Sequence, residues 1–235
     1  MSTLINTNHV IALPLSYENS PDWIFPIGFI RSGMFYAKGT CFRLNKPGLV
    51  ATASHVIGIG DEPLVVVLND VANIDMYQRG HRSEFKYVNA ELVAFDPIHD
   101  LAVIKVPDFE QFGPVPIMVA GTDSIKVGDN TVSFGYPHLG TFRTVLTRFD
   151  GKIGAKILLP SPTIEVKYAV LNSLARPGQS GGPVFRSGTN QLVAILSGAY
   201  EPPSDGLTIT LAGASLAALS QTTHCVSAEY LIGMY

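Results

Sequence analysis

The stretch Gly178-Gln179-Ser180-Gly181-Gly182-Pro183 places one hydroxyl group among three glycines. Glycine adopts backbone conformations that other residues avoid, so a loop of this composition can turn several amide groups toward one point. A serine hydroxyl is a poor nucleophile at neutral pH unless a base lies within hydrogen-bonding distance. The stretch therefore predicts a reactive serine, Ser180, whose base must come from elsewhere in the chain.

Two other segments contain the residues that such a serine needs. His55 ends the apolar run of residues 49–54, where a strand is expected to give way to a loop. Asp100 begins a second apolar run, residues 101–106, and a carboxylate at the end of a buried strand can orient an imidazole. We expect Ser180 to be the nucleophile, His55 the general base and Asp100 the orienting acid.

Asp96 and His99 are the neighbouring alternatives to these assignments. Asp96 precedes Pro97 and is typical of a turn, whereas Asp100 leads directly into a strand. Adjacent residues of a strand face opposite sides, so we expect His99 to be solvated or hydrogen-bonded away from the site. The other histidines show no metal-ligand spacing, and we expect no metal and no cofactor.

The pattern Gly178-x-Ser180-x-Gly182 also fits the nucleophile elbow of α/β-hydrolases, because Asp205 and His224 follow it in that fold's order. An elbow requires a strand, a sharp turn and then a helix. Ser180 is instead followed by Pro183 and a further β-like run, and the chain lacks the alternating strands and helices of a parallel sheet. The elbow is the weaker interpretation.

Composition and segment length indicate an all-β fold. The 235 residues include 22 Gly and 16 Pro, which separate apolar segments too short for helices. A proline-rich connector at residues 107–122 predicts two β-barrel halves, which we assign to residues 1–115 and 116–235. Ser227 is the expected N-cap of a short C-terminal helix.

Several classes of function are disfavoured by the same composition. A formal net charge of −3 argues against nucleic-acid binding. The most apolar late stretch, residues 211–219, is far shorter than the roughly 18 residues that span a bilayer, so no membrane partner is expected. Cys41 and Cys225 are predicted to be buried thiols, and no export signal is visible, so we expect a cytoplasmic location.

Several stretches resemble the trypsin-like serine peptidases of the chymotrypsin fold, and more closely their bacterial branch, which includes the high-temperature-requirement proteases. Gly39-Thr40-Cys41-Phe42 and Thr52-Ala53-Ser54-His55-Val56 are similar to the family's segments around the base. Residues 96–103 are similar to its aspartate strand, and residues 122–137 to the bacterial branch's entry into the second barrel. The similarity covers about residues 36–200 in the order base, acid, nucleophile.

The resemblance implies two antiparallel six-stranded β-barrels with the active site between them. It implies hydrolysis of peptide bonds through an acyl-enzyme, with an oxyanion hole formed by the backbone amides of Gly178 and Ser180. The substrate would contact Leu174 and the strand Ser197-Gly198-Ala199, with a preference for a neutral, apolar side chain.

Two departures from the family also shape the expectation. Gln179 is neutral where the digestive members have an aspartate that pairs with a newly cut N-terminus, so activation by N-terminal cleavage is not expected. The chain ends soon after the second barrel, so we expect no appended peptide-binding domain. The alternatives to a peptidase are a catalytically silent peptide-binding module and an esterase. The expected partner of a peptidase or of a binding module is a peptide or protein.

Overall fold

The computed structural model describes residues 21–58, 62–80, 85–139, 143–200, 210–211, 214–215 and 222–235. Two large β-sheets account for most of these residues, and one lies in each half of the chain. The only α-helix among the described residues is a single turn, α1 (Ser54–Ile57). No helix in the same residues has the length and apolar character needed to cross a bilayer.

The first sheet contains seven antiparallel strands. They are β1 (Ile24–Arg31), β2 (Met34–Arg43), β3 (Leu49–Thr52), β4 (Leu64–Val67), β5 (Tyr87–Asn89), β6 (Glu91–Asp96) and β7 (Leu101–Lys105), in the spatial order β5-β4-β1-β2-β3-β7-β6. The first four residues of β7 are all buried, which is the pattern of a strand covered on both faces. This sheet curves into a half-barrel and places the ends of β3 and β7 side by side.

The second sheet closes on itself. Its strands are β8 (Met118–Val119), β9 (Asn130–Gly135), β10 (Thr147–Pro160), β11 (Glu165–Leu171), β12 (Pro183–Arg186), β13 (Gln191–Tyr200) and β16 (Thr222–Ser227), while β14 (Thr210–Leu211) and β15 (Ala214–Ser215) form a separate ribbon. The order is β12-β9-β10-β11-β16-β13, and pairing of β12 with β13 completes a six-stranded barrel. The short β8 adds to β13 in a parallel direction.

Aromatic side chains pack the two sheets against each other. Trp23, directly before β1, makes edge contacts with Phe134 of β9 and Phe185 of β12, with ring centroids 6.4 and 5.7 Å apart. Tyr136 is fully buried, and its hydroxyl donates a hydrogen bond of 2.9 Å to the carbonyl oxygen of Ile24. One apolar cluster therefore runs through both halves of the chain.

The predicted all-β architecture of two barrel-like halves is confirmed. It differs in detail, because the first half is a seven-stranded half-barrel and the C-terminal helix is one 3-10 turn, Ala228–Leu231. The predicted strand at residues 49–55 ends at Thr52, since the chain turns into α1 before His55. The alternation of Leu207, Ile209 and Leu211 with threonines also predicts a strand at residues 207–211, which lies largely outside the described residues. The division between residues 115 and 116 stays a prediction.

Cys41 and Cys225 are free thiols and fully buried, as predicted. They belong to different apolar clusters. Burial raises the pKa of both thiols far above its ordinary value. Both cysteines therefore stay protonated and shielded from oxidants.

Tyr136→Phe tests the contact between the two halves. Loss of the hydroxyl should lower the free energy of unfolding by about 0.5–1.5 kcal/mol, because a buried hydrogen bond is lost without leaving a large cavity. The fluorescence of Trp23, the only tryptophan of the chain, reports the transition in urea. Tyr77→Phe, at a fully exposed ring, is the matched control and should change stability by less than about 0.5 kcal/mol.

Candidate active site

His55 is placed by the short helix α1. The preceding Ala53 is extended, and Gly58 ends the helix with φ of +64°. The side chain of His55 is 48% exposed, whereas Val56 and Ile57 of the same turn are buried in the core of the first sheet. The apolar residues therefore anchor the helix in the core, and the imidazole of His55 remains exposed at the cleft.

Asp100 lies in the turn before β7, with φ of +54°. Both of its carboxylate oxygens are 2.9 Å from Nδ1 of His55, and Oδ1 also accepts from the backbone amide of His55 at 3.1 Å. The hydroxyl of Ser54 donates to Oδ1 at 3.0 Å. The backbone amide of Ser54 donates to the carbonyl oxygen of Asp100 at 3.1 Å, so the turn and the helix are joined by main chain as well.

Ser197 supplies a further donor to the same carboxylate, from the other sheet. Its hydroxyl donates to Oδ2 of Asp100 at 2.5 Å. Ser197 lies at an irregularity of β13, where the pairing with β16 shifts between Leu196 and Gly198. A bulge of this kind redirects one side chain out of the regular alternation, and here the redirected hydroxyl reaches Asp100.

These contacts determine the ionisation of Asp100. Burial alone would raise the pKa of its carboxyl, but the hydrogen bonds from His55 and Ser197 and the charge interaction with His55 outweigh it, and the pKa is lowered. Asp100 is therefore a carboxylate at neutral pH. A carboxylate accepts only, so Nδ1 of His55 carries a proton and Nε2 of the neutral ring is left as an acceptor.

The loop around Ser180 is hydrogen-bonded to Thr40 on β2 of the first sheet. The backbone amide of Thr40 donates to the carbonyl oxygen of Ser180, and the hydroxyl of Thr40 donates to that of Gly178, both at 2.8 Å. Gly181 has φ of +84°, and a side chain there would lie 2.1 Å from Oγ1 of Thr52. Only glycine allows this approach.

The segments that carry Ser180 and His55 approach each other at Gly39, and no hydrogen bond joins Ser180 to His55 among the described residues. Gly39 separates the two segments, since a side chain on it would lie 2.7 Å from both the carbonyl oxygen of Ser180 and a methyl group of Val56. Within the described part of the chain, the His55 ring makes its side-chain hydrogen bonds to Asp100 and none to Ser180. Such bonds are often long in unliganded enzymes and shorten on binding substrate.

The direction of the Gly178 amide follows from the peptide bond that joins it to Pro177. The carbonyl oxygen of Pro177 accepts from the amide of His138 at 2.7 Å, and Gly178 follows with φ of +97°. In a trans peptide the C=O and N–H groups point in opposite directions, so the Gly178 amide points away from His138. Among the described residues neither amide donates to a protein acceptor.

A small cavity lies behind the loop, next to Leu174. Gln179 and Leu196 are among its buried walls, and no charged side chain is among the described residues that line it. Gln179 is 1% exposed, and its Oε1 accepts from the amide of Arg176 at 2.5 Å. Of the other predicted substrate contacts, Gly198 is partly buried, and the side chain of Ala199 lies outside the described residues.

The alternative residues lie apart from this arrangement. Nδ1 of His99 is 2.6 Å from Oδ2 of Asp96, whose Oδ1 accepts from the amides of Ile98 and His99 at 3.0 and 3.1 Å. The ring of His99 stacks on Tyr230, with centroids 3.9 Å apart. Asp96 and His99 therefore form a separate pair that closes the turn, as expected for a hydrogen-bonded histidine.

The remaining alternatives have no support in the structure. Asp205, the acid of the elbow interpretation, lies outside the described residues, and His224 is on β16, in the barrel wall. The residues described contain no cluster of three or more His, Cys, Asp or Glu side chains that could hold a metal ion. The sequence did not identify Ser54 and Ser197 as partners of Asp100. For Ser197 the reason is a bulge, which interrupts the alternation from which side-chain direction is deduced.

A half-barrel and a closed barrel with a paired His and Asp facing a glycine-rich serine loop define the trypsin-like peptidase class. The chain belongs to this class, since its residues 39–195 match the sequence profile described as the trypsin-like peptidase domain. The predicted family, and with it the serine-peptidase class, is confirmed.

Individual relatives agree with this assignment. A probable periplasmic serine endoprotease, DegP-like, of Rhizobium meliloti is 28% identical over 75% of this chain and 31% of its own length. The solved Rv3671c protease of M. tuberculosis in its active form has a TM-score of 0.63 at 21% identity, covering 91% of this chain and 79% of that one. The HtrA-type protease AlgW, solved with a tripeptide, has a TM-score of 0.62 at 18% identity, covering 92% of this chain and 60% of that one.

The chain spans about a third of the length of the curated relatives that it matches. Those relatives include proteins named periplasmic serine endoproteases, which points to a periplasmic or extracellular location. The expected cytoplasmic location is therefore wrong. The free cysteines are no argument for it, because buried, protonated thiols survive in an oxidising compartment as well.

The lowered pKa of Asp100 predicts a specific acid dependence of stability. Because the folded pKa lies below the unfolded one, the carboxylate stabilises the fold above the unfolded pKa, and this contribution is lost as the pH falls through the folded pKa. Urea unfolding from neutral pH down to pH of about 3 should therefore show a steeper loss of stability in the wild type than in Asp100→Asn. Asp75→Asn, at an exposed turn, is the matched control and should keep the wild-type slope; equal slopes for all three proteins would contradict the assignment.

Proposed function

We propose that the chain is a serine endopeptidase in which Ser180 is the nucleophile, His55 the general base and acid, and Asp100 the residue that orients His55. The observation that carries the proposal is the 2.9 Å contact of both Asp100 oxygens with Nδ1 of His55. It leaves Nε2 as the acceptor of a ring whose chain segment approaches the Ser180 loop at Gly39.

The first half of the reaction forms an acyl-enzyme. Oγ of Ser180 bonds to the carbonyl carbon of the substrate while its proton moves to Nε2 of His55. The C–N bond then breaks, and the same proton passes from His55 to the leaving amine. Asp100 keeps its negative charge throughout and stabilises the imidazolium that exists between these two transfers.

The second half returns the enzyme to its starting state. Water gives a proton to Nε2 of His55 and its oxygen bonds to the acyl carbon. The bond from that carbon to Oγ of Ser180 then breaks, and His55 returns the proton to the serine. The side chains supply the nucleophile and every proton transfer, so the proposal requires no cofactor.

The amides of Gly178 and Ser180 are the proposed oxyanion hole. Support comes from the Pro177 carbonyl, which is held by His138 and so turns the Gly178 amide to the opposite side. An amide that donates to no acceptor among the described residues is free to bind the oxygen that becomes negative in the transition state. The positive φ of Gly178 is needed for this orientation, since other residues rarely adopt it.

Leu174, Ser197, Gly198 and Ala199 are the proposed contacts of the acyl half of the substrate. The hydroxyl of Ser197 is engaged by Asp100, so its backbone is the part that remains for a peptide. The side chains described around Leu174 are neutral, which favours an uncharged side chain before the scissile bond. We also propose residues 1–115 and 116–235 as the two domains that contribute to this cleft.

Ser180→Ala is the direct test of the proposal. A fluorophosphonate probe should label the wild type on Ser180, and the variant should lose labelling and lower the turnover of a peptide substrate by about 10⁴-fold. Ser187→Ala, at an exposed turn serine seven residues later, is the matched control and should react like the wild type.

Matched ester and amide substrates separate the three candidate functions. A peptidase hydrolyses both, since it can expel an amine as well as an alcohol. Hydrolysis of the ester alone would establish an esterase. Failure of the wild type to react with the probe or with either substrate would favour a silent peptide-binding module and overturn the proposal.

A further inference from the structure

An apolar pocket of about 200 Å³ opens beside the Ser180 loop. Its walls are the stretch of β2 from Met34 to Ala37 together with Phe85, Leu139 and Thr144. The rings of Phe35 and Phe85 lie 6.0 Å apart. The pocket is thus lined by aromatic rings, a methionine and small apolar groups, with no carboxylate or ammonium group among these residues.

Two residues that line the pocket lie close in the structure or in the chain to residues that contact the Ser180 loop. Leu139 touches the oxyanion loop, because a side chain on Gly178 would lie 3.2 Å from the backbone nitrogen of Leu139. Ala37 is two residues before Gly39, which lies against the carbonyl oxygen of Ser180. Two residues of a strand span about 7 Å, so the pocket begins within one substrate residue of Ser180.

The direction of the substrate decides which half of it reaches this pocket. The acyl half is assigned to the strand of Ser197 and to the cavity beside Leu174, in the closed barrel. The pocket has a different lining, formed by β2 of the half-barrel and by Leu139. The part of the peptide that passes over it is therefore the half that leaves with the amine.

Thr144 places in the lining of the pocket a hydroxyl group that needs a hydrogen-bond partner. The residue is 7% exposed, and its hydroxyl has no hydrogen-bond partner among the described residues. Threonine has two accessible χ1 rotamers in many settings, and turning this hydroxyl into the pocket sacrifices no existing bond. A buried hydroxyl without a partner is costly, so a ligand that reaches it gains binding energy.

We propose that this pocket binds a tyrosine side chain from the first or second residue of the leaving half of the substrate, with the tyrosine hydroxyl bonded to Thr144. The volume supports an aromatic ring, because a cavity of about 150 Å³ is enough for benzene. The lining supports it as well, since aromatic rings favour edge and offset contacts with one another. The inference rests on the proposed peptidase function and gives it a substrate preference.

The test uses the 235-residue chain and three peptides that share one acyl half and carry Tyr, Phe or Ala directly after the scissile bond. A second set of peptides varies the residue one position later. In one of the two sets, kcat/KM should be at least about tenfold higher for Phe than for Ala, because the ring is buried in the pocket. It should be about three- to tenfold higher again for Tyr than for Phe, from the hydrogen bond.

Thr144→Val isolates the hydroxyl with little change in volume. The ratio of Tyr to Phe should fall to about 1 in this variant, since the valine offers no partner to the phenol. The variant should also fold, because removing an unpaired buried hydroxyl does not destabilise a core, and thermal unfolding checks this. Thr163→Val, at an exposed threonine in the turn that joins β10 to β11, is the matched control and should keep the wild-type ratio.

The outcomes distinguish this inference from the proposed function. Labelling of Ser180 by a fluorophosphonate does not require the leaving half of a peptide. If the protein is labelled and cleaves all three peptides equally in both sets, the tyrosine pocket is overturned and the peptidase function is not. A Tyr preference that Thr144→Val leaves intact also overturns it. Absence of both labelling and cleavage overturns the peptidase itself.

Discussion

The carboxylate of Asp100 is the point on which the site depends. It accepts hydrogen bonds from the ring and the backbone of His55, and from the hydroxyls of Ser54 and Ser197. Three of these donors belong to α1 in the first half of the chain, and one belongs to β13 of the second sheet. A single buried charge thus holds the imidazole in one orientation and ties the two barrel walls together at the cleft, and the hydrogen bonds compensate for its burial.

The rest of the fold makes this convergence possible. The aromatic contacts of Trp23 with Phe134 and Phe185 set the two sheets against each other, and the Tyr136 hydroxyl bonds across the same interface. Thr40 and the close approach of Gly181 to Thr52 then fix the serine loop against the strand that leads to His55. A reactive site between two sheets requires a packed interface, because small shifts of one sheet would separate the base from the nucleophile.

Sequence reasoning predicts the features that depend on residues close together in the chain. His55 and Asp100 are predicted because each stands at the boundary between an apolar run and a loop. Ser180 is predicted because of the glycines around it, and the all-β class followed from the short segments between glycines and prolines. The one-turn helix under His55 was missed, since four residues are too few to show helical periodicity. The contact of Ser197 with Asp100 depends on a bulge and on two segments 97 residues apart, which no local pattern encodes. The location was predicted wrongly because the absence of a visible export signal and of a disulfide does not identify a compartment.

The most direct test of the account is a crystal structure of the protein after reaction with a fluorophosphonate. The account predicts phosphorus bonded to Oγ of Ser180, one phosphoryl oxygen about 2.7–3.1 Å from the amides of Gly178 and Ser180, and Nε2 of His55 facing the adduct while Nδ1 stays on Asp100. An adduct on another residue, or a His55 ring turned away from Ser180 with its bond to Asp100 broken, would contradict it.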